Sequence, residues 1–282
     1  NFDRQSNPVL KPLRLFLSIC TLVLVGTNAL AQPFAPAASS YPSFVDYQRS
    51  LPRPAEAWQK KEDTIRKQFA AKKLSWPAKF IYIRSFKYDS ELEVWAKNRV
   101  TDTFQLFKTY RVCALAGNLG PKRLQGDYQV PEGFYYINDF NPNSSYYLSL
   151  GLNYPNASDR VLSDSLKPGG EIYIHGSCVT VGCIPITDQQ IGEVYMLASM
   201  AYDQGQHFIP VHVFPIRFDA PRSVDYLKGL VKDDASLGAF VEQLEPAYYN
   251  FQRSHRLPII LIAPDGSYSV GKEGKLPSNA IH

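Results

Sequence analysis

Hydrophobic and polar residues alternate over many short stretches of this chain, a pattern typical of half-buried β-strands. The alternation is clearest at Leu92, Val94 and Ala96, and turn-forming residues such as those at 131–133 separate the stretches. Because the stretches are short and numerous, we predict a mainly β fold with flanking helices (α+β), built as a sandwich or barrel. The predicted strands are residues 80–83, 92–96, 104–113, 128–130, 134–137, 146–150, 171–174 and 210–218.

Three longer stretches have the 3.6-residue period of amphipathic helices instead. They are residues 54–74, 187–205 and 236–249. The second begins at Thr187, which forms a capping-box pattern with Gln190. Pro246, inside the third, is expected to end or kink that helix.

The N-terminal residues 1–31 have the features of a secretory signal peptide. Lys11 and Arg14 precede an apolar run that is too short to span a bilayer, and Ala29-Leu30-Ala31 fits the cleavage rule. A membrane anchor is the alternative interpretation. We therefore predict an exported protein of the periplasm or cell envelope.

The remaining chain divides into three predicted parts. Residues 32–77 form a Pro-, Ala- and Ser-rich linker and an N-terminal helix, and residues 78–218 form the main domain. Residues 219–282 form a C-terminal extension, a helix followed by a hairpin around Pro264-Asp265-Gly266. No internal repeat is evident.

Composition narrows the possible functions. The formal net charge is only +4, too small an imbalance to indicate a nucleic-acid partner, which needs a basic stripe. Removal of the signal peptide would take Cys20 away and leave Cys113, Cys178 and Cys183, an odd number. An odd cysteine in an exported protein suggests a free, reactive thiol.

The stretch with the clearest chemical potential is residues 172–186, IYIHGSCVTVGCIPI. A short β-like run ends at His175, a loop follows, and Cys183 closes the loop. A thiolate is a strong nucleophile, and an imidazole that takes the thiol proton lowers the thiol pKa. The pair can therefore serve acyl transfer.

Other interpretations of the same residues stay open. Cys178 and Cys183 can form a small disulfide, or join His175 as ligands of a zinc ion. Each cysteine can also be a small buried hydrophobe, the interpretation we favour for Cys113 and for Cys178.

The motif resembles the active site of the YkuD-type L,D-transpeptidase family, in the compact form of its YafK-like branch. The family pattern is His-Gly or His-Ser, a loop, and then Ser/Thr-His-Gly-Cys. His175-Gly176 is similar to the first part, and Thr180-x-Gly182-Cys183 is similar to the second. The loop is shorter here, Val181 replaces the second histidine, and Pro185 stands where the family has a polar residue.

The resemblance extends upstream and covers roughly residues 78–217. Gly120-Pro121-Lys122, Gln125-Gly126-Asp127 and the segment 130–135 are similar to the family signature G-P-K, E-G-D and T-P-E-G-x-Y. Residues 141–146 and 154–156 look like elements of the YafK-like branch.

The resemblance implies a role for each residue of the motif. Cys183 is the nucleophile, His175 is the base, and the backbone carbonyl of Gly176 orients the imidazole. The amides of Gly182 and Cys183 are candidates for the oxyanion hole. Candidate substrate contacts are Thr180, Ser177, Tyr154, Asn153 and Tyr128, for which packing is an alternative. No metal or organic cofactor is implied.

The implied substrates are peptidoglycan stem peptides. Attack on the third residue of a stem tetrapeptide releases the terminal D-alanine, and the acyl group then passes to an amine or to water. The alternatives are a hydrolytic L,D-carboxypeptidase or endopeptidase, including one that releases a wall-linked protein, and an inactive peptidoglycan-binding module.

Overall fold

One eight-stranded mixed sheet forms the centre of the structure, a computed structural model that describes residues 41–271. The strands are β1 Phe80–Phe86, β2 Glu91–Lys97, β3 Gln105–Arg111, β4 Gly133–Asn141, β5 Ser149–Leu152, β6 Tyr173–His175, β7 Ile184–Pro185 and β8 Ile209–Phe214. Their spatial order is β3-β2-β1-β8-β4-β5-β6-β7. The β1–β8 and β6–β7 pairs are parallel, and the others are antiparallel.

Six helices in the described region flank this sheet. They are α1 Phe44–Arg49, α2 Pro52–Ala71, α3 Ala157–Leu162, α4 Asp188–Asp203, α5 Pro221–Val231 and α6 Ala235–Ser254. A two-stranded hairpin, β9 Ile260–Ile262 and β10 Tyr268–Val270, follows α6. The prediction of a mainly β fold with flanking helices is confirmed, and the sheet has the form of a half-barrel.

Helices cover both faces of the central strands, which explains why β1 is buried along nearly its whole length. Ile81 and Ile83 share a core with α2 and α4, while Phe86 and neighbouring aromatic residues share a second core with α6. Residues 219–271 therefore contribute part of the core rather than an appended surface.

A buried ion pair lies beneath α6. Arg84 is fully buried, and its Nη2 lies 2.7 Å from Oε2 of Glu93. The guanidinium carbon is 5.0 Å from the ring centre of Trp95 and 4.7 Å from that of Phe251. These contacts fasten the C-terminal helix to the sheet.

The capping box at Thr187 and Gln190 is present, but some predicted bounds differ. Residues 128–130 form no strand, because Tyr128 has a left-handed backbone (φ 56°) within an irregular loop. Pro246 does not end α6, since the residues after it bury their side chains against the core. Helix α5 was not predicted.

The predicted signal peptide, residues 1–31, and most of the predicted linker lie outside the described residues. Within residues 41–271, no helix is both long enough and apolar enough to cross a bilayer.

Candidate active site

Strands β6 and β7 bring the two motif residues to one edge of the sheet. Their parallel register pairs Ile174 with Ile184 and His175 with Pro185. Ile174 and Ile184 point into the core. Side chains alternate along a strand, so the side chain of His175 lies on the opposite face from Ile174, and Cys183 comes immediately before β7.

The imidazole of His175 is fixed by its neighbour in the chain. Its Nδ1 lies 2.5 Å from the carbonyl oxygen of Gly176, so Nδ1 carries the proton and Nε2 is left as the basic nitrogen. Burial lowers the pKa of His175, although the Gly176 hydrogen bond opposes that effect. A neutral imidazole with a free Nε2 is the form that a general base requires.

Gly176 has no room for a side chain. A Cβ at this position would lie 2.7 Å from the backbone oxygen of Tyr146 and 2.5 Å from Oδ1 of Asp188. The same Asp188 oxygen accepts the N–H of Ser177, which anchors the start of the loop to α4.

Gly176→Ala is therefore expected to move the carbonyl that orients His175 and to lower kcat/KM by about 100-fold, the typical effect of a 1 Å misplacement. Gly229→Ala in α5 is the matched control, because a Cβ there meets no atom within 4 Å and Gly229 does not line the cavity. Steady-state turnover of both variants, with thermal unfolding to verify the fold, checks this. Equal turnover in the two variants would contradict it.

Cys183 is a free, half-buried thiol. Burial raises its pKa, while the backbone N–H of Tyr173 and the charge of Lys122 act in the opposite direction. The thiol donates to the carbonyl oxygen of Glu171 at 3.6 Å rather than to His175. Burial therefore disfavours the charged form of both groups, the thiolate of Cys183 and the imidazolium of His175.

Thr180 shapes the end of the loop. Its hydroxyl donates to the carbonyl oxygen of Cys183 at 2.8 Å and accepts the N–H of Gly182 at 3.0 Å. Gly182 packs so closely that a Cβ would lie 3.0 Å from the oxygen of Gln129. Because the Gly182 amide is engaged in this state, the Cys183 amide is the better candidate for an oxyanion donor.

A disulfide between Cys113 and Cys178 corrects the interpretation of both cysteines. Neither is a free packing residue, and Cys178 does not pair with Cys183. The N–H of Cys113 donates to the oxygen of Pro185, so the sheet brings it beside the loop despite a separation of 65 residues. The disulfide also removes Cys178 as a zinc ligand. Among residues 41–271, no group of three His, Cys, Asp or Glu could hold a metal ion.

The thiol opens into a cavity of about 570 Å³. Three segments contribute its lining, within residues 122–128, 166–172 and 181–183. Of the predicted substrate contacts, Tyr128 lies in this lining and is 60% exposed.

Tyr154 and Asn153 do not line the cavity. The buried hydroxyl of Tyr154 lies 2.9 Å from the oxygen of Pro168 and 3.3 Å from that of Lys122, so it ties two walls together. The Oδ1 of Asn153 accepts the N–H of Tyr136 on β4.

Lys122 is a site residue to which the sequence analysis gave no role. It lines the cavity, although its side chain is only 6% exposed, and its Nζ lies 2.5 Å from Oδ1 of Asp127 and 2.9 Å from the oxygen of Leu124. Lys122 is the lysine of the G-P-K signature, so that signature could have indicated its role.

Because the cation favours the thiolate, Lys122→Met is expected to raise the pKa of Cys183 and slow its alkylation about tenfold at a given pH, which corresponds to about one pKa unit. Lys167→Met is the matched control, since Lys167 lines the same cavity but is exposed. The pH dependence of alkylation checks this. An unchanged pH profile in Lys122→Met would rule out an electrostatic role.

The described site thus combines a free cysteine that lines an open cavity with a buried histidine whose Nδ1 is held by a backbone carbonyl. The model of the YkuD family, the L,D-transpeptidase catalytic domain, matches residues 87–213. A relative from Escherichia coli K12, named "Putative L,D-transpeptidase YafK", is 34% identical over 194 residues, 68% of this chain and 74% of its own. The chain belongs to the YkuD L,D-transpeptidase family, as its motifs predicted.

Solved structures with a similar chain path include the helical cell shape determining protein Pgp2 from Campylobacter jejuni. It is 19% identical, with 66% of this chain and 74% of that chain covered and a TM-score of 0.39. Bd1075 from Bdellovibrio bacteriovorus is 15% identical, with 70% and 92% covered and a TM-score of 0.38.

Proposed function

We propose that this protein is an exported cysteine L,D-transpeptidase that acts on peptidoglycan stem peptides. The observation that carries the proposal is the buried His175, whose Nδ1 is held by the Gly176 carbonyl, at one end of a short loop that has the free thiol of Cys183 at its other end. A module that only binds muropeptides needs neither feature. The role follows the family to which the chain belongs.

The first half-reaction forms an acyl-enzyme. Nε2 of His175 takes the thiol proton, and Sγ of Cys183 attacks the carbonyl carbon of the third residue of a stem tetrapeptide. The Cys183 amide N–H supports the oxyanion. The imidazolium returns its proton to the leaving amine, and D-alanine departs as the thioester forms.

The second half-reaction reverses these roles. His175 removes a proton from an acceptor amine, which attacks the thioester carbonyl, and the regenerated thiolate regains its proton from the imidazolium. The product is a new amide, either a crosslink or an attached protein. Water in place of the amine gives hydrolysis through the same intermediate.

The test is mass spectrometry of the purified protein with stem tetrapeptide muropeptides. Loss of D-alanine together with crosslinked dimers is the expected result. Loss without dimers, or cleavage of existing crosslinks, would reassign the protein as a hydrolase. Absence of both a product and an adduct on Cys183 would overturn the proposal.

A further inference from the structure

The phenol ring of Tyr146 lies flat on the imidazole of His175. The ring centres are 4.5 Å apart and the planes are inclined by 29°. Tyr146 is 42% exposed, whereas His175 is only 2% exposed. Tyr146 therefore lies between one face of the imidazole and solvent.

Helix α2 holds the segment that carries this tyrosine. Arg53 donates to the carbonyl oxygens of Ser144 and, at 2.8 Å, of Tyr147. On the other side, the N–H of Gly176 donates to the oxygen of Leu148 at 3.2 Å. Residues 144–148 are thus fastened both to α2 and to the strand end that carries the base.

We propose that Tyr146 is a positioning residue for the base, held over His175 by Arg53, and that its ring fixes the imidazole plane and keeps water from it. This inference rests on the proposed function, in which His175 is the base. It also assigns a role in the site to α2, which precedes the segment matched by the family model.

The hydrogen bond to Gly176 does not by itself fix the orientation of the imidazole. That bond fixes Nδ1, but a single hydrogen bond allows the ring to rock about the fixed atom. An aromatic ring packed on the imidazole face restrains that motion, and such pairs favour defined geometries. The direction of Nε2 is then fixed as well.

The stacked ring also contributes to the electrostatic state of His175, whose pKa is lowered chiefly by burial. The titratable or charged groups on the segments that hold the two rings, or that are bonded to those segments, come from four elements. They are Tyr146 and Tyr147 on the β4–β5 connection, Arg53 and Glu56 on α2, Asp188 on α4 and Cys183 before β7. Removing the phenol ring would admit water to the face of the imidazole and leave the other charged or titratable groups in place.

The experiment compares Tyr146→Ala with Tyr146→Phe by an NMR titration of the histidine imidazoles and by the pH profile of kcat/KM. Tyr146→Ala is expected to raise the pKa of His175 by about one unit and to move the acid limb of the profile to higher pH, because the base stays protonated longer. Turnover is expected to fall about 10- to 100-fold. Tyr146→Phe keeps the ring and is expected to behave like the unmodified protein.

Tyr226→Ala is the matched control. Tyr226, on α5, is 44% exposed and stacks on Tyr88, which follows β1, with ring centres 4.3 Å apart. The variant therefore loses an equivalent stacked pair of rings. It is expected to leave the titration of His175 unchanged. Arg53→Met, which releases residues 144–148 but keeps Tyr146, is expected to shift the pKa of His175 in the same direction as Tyr146→Ala.

The titration needs no substrate, so the two proposals can fail separately. An unmodified protein that neither turns over muropeptides nor forms an adduct would overturn the proposed function, whatever Tyr146 does. An unchanged His175 titration and pH profile in Tyr146→Ala would overturn the positioning role, even in a fully active transpeptidase.

Discussion

Replacing Cys183 with alanine is expected to abolish acyl transfer, with kcat/KM reduced by about 10⁴- to 10⁶-fold, the loss typical of removing a catalytic nucleophile. His175 would remain oriented by Gly176, but it would have no thiol from which to take a proton. The fold should persist, because Cys183 is half-buried and its thiol makes only a 3.6 Å hydrogen bond. Intact-protein mass spectrometry with a stem tetrapeptide checks the result as loss of the acyl adduct.

Cys183→Ser supplies the matched control for this experiment, since it preserves the shape of the side chain. A hydroxyl is a far weaker nucleophile than a thiolate, and the neutral imidazole alone is not expected to activate it enough. Serine and alanine should therefore be similarly inactive, while both keep the thermal stability of the unmodified protein. Turnover that survives in the alanine variant would remove Cys183 from the mechanism.

The parts of the site that could be predicted from sequence are those encoded locally. His175 ends β6 and Cys183 comes immediately before β7, so one short stretch of sequence contains both candidates, and the family resemblance then selects the catalytic interpretation. The capping box at Thr187 is equally local, because its two hydrogen bonds join residues three positions apart.

What could not be predicted depends on contacts between distant segments. Tyr146 meets His175 only because β5 pairs with β6, and Cys113 meets Cys178 only because the chain after β3 returns to β7. The loop that carries Tyr128 has a strand-like composition, but Tyr128 has a left-handed backbone and its side chain lines the cavity. Neither periodicity nor spacing records such contacts.

The signature residues upstream of the motif illustrate a further limit. Glu132 of the P-E-G segment is fully buried, pairs with Lys87 at 2.9 Å and accepts the N–H of Gly120. Its place in the signature is explained by its role in fixing the chain before β4. A resemblance identified this segment, but only the contacts separate Glu132, which supports the framework, from Lys122, which reaches the cavity.

Removing the Cys113–Cys178 disulfide is expected to lower the free energy of unfolding by about 4 kcal/mol, the loop-entropy effect for a separation of 65 residues. The double variant Cys113→Ser, Cys178→Ser leaves the thiol of Cys183 intact. Denaturant unfolding of this variant and of the unmodified protein, both without reductant, measures the difference. Cys178 is exposed, so reductant added to the unmodified protein should cause the same loss of stability.

The same variant separates stability from site geometry. The disulfide anchors the loop between His175 and Cys183 at its middle, whereas Asp188 holds the start and Thr180 holds the end. Without the middle anchor, Cys183 should sample more orientations, and turnover should fall even under conditions where the variant is fully folded. Unchanged turnover with reduced stability would restrict the disulfide to the fold, and unchanged stability would contradict the prediction altogether. Single variants are less informative, since oxidation by dissolved oxygen can join the unpaired partner thiol to Cys183 in a new disulfide.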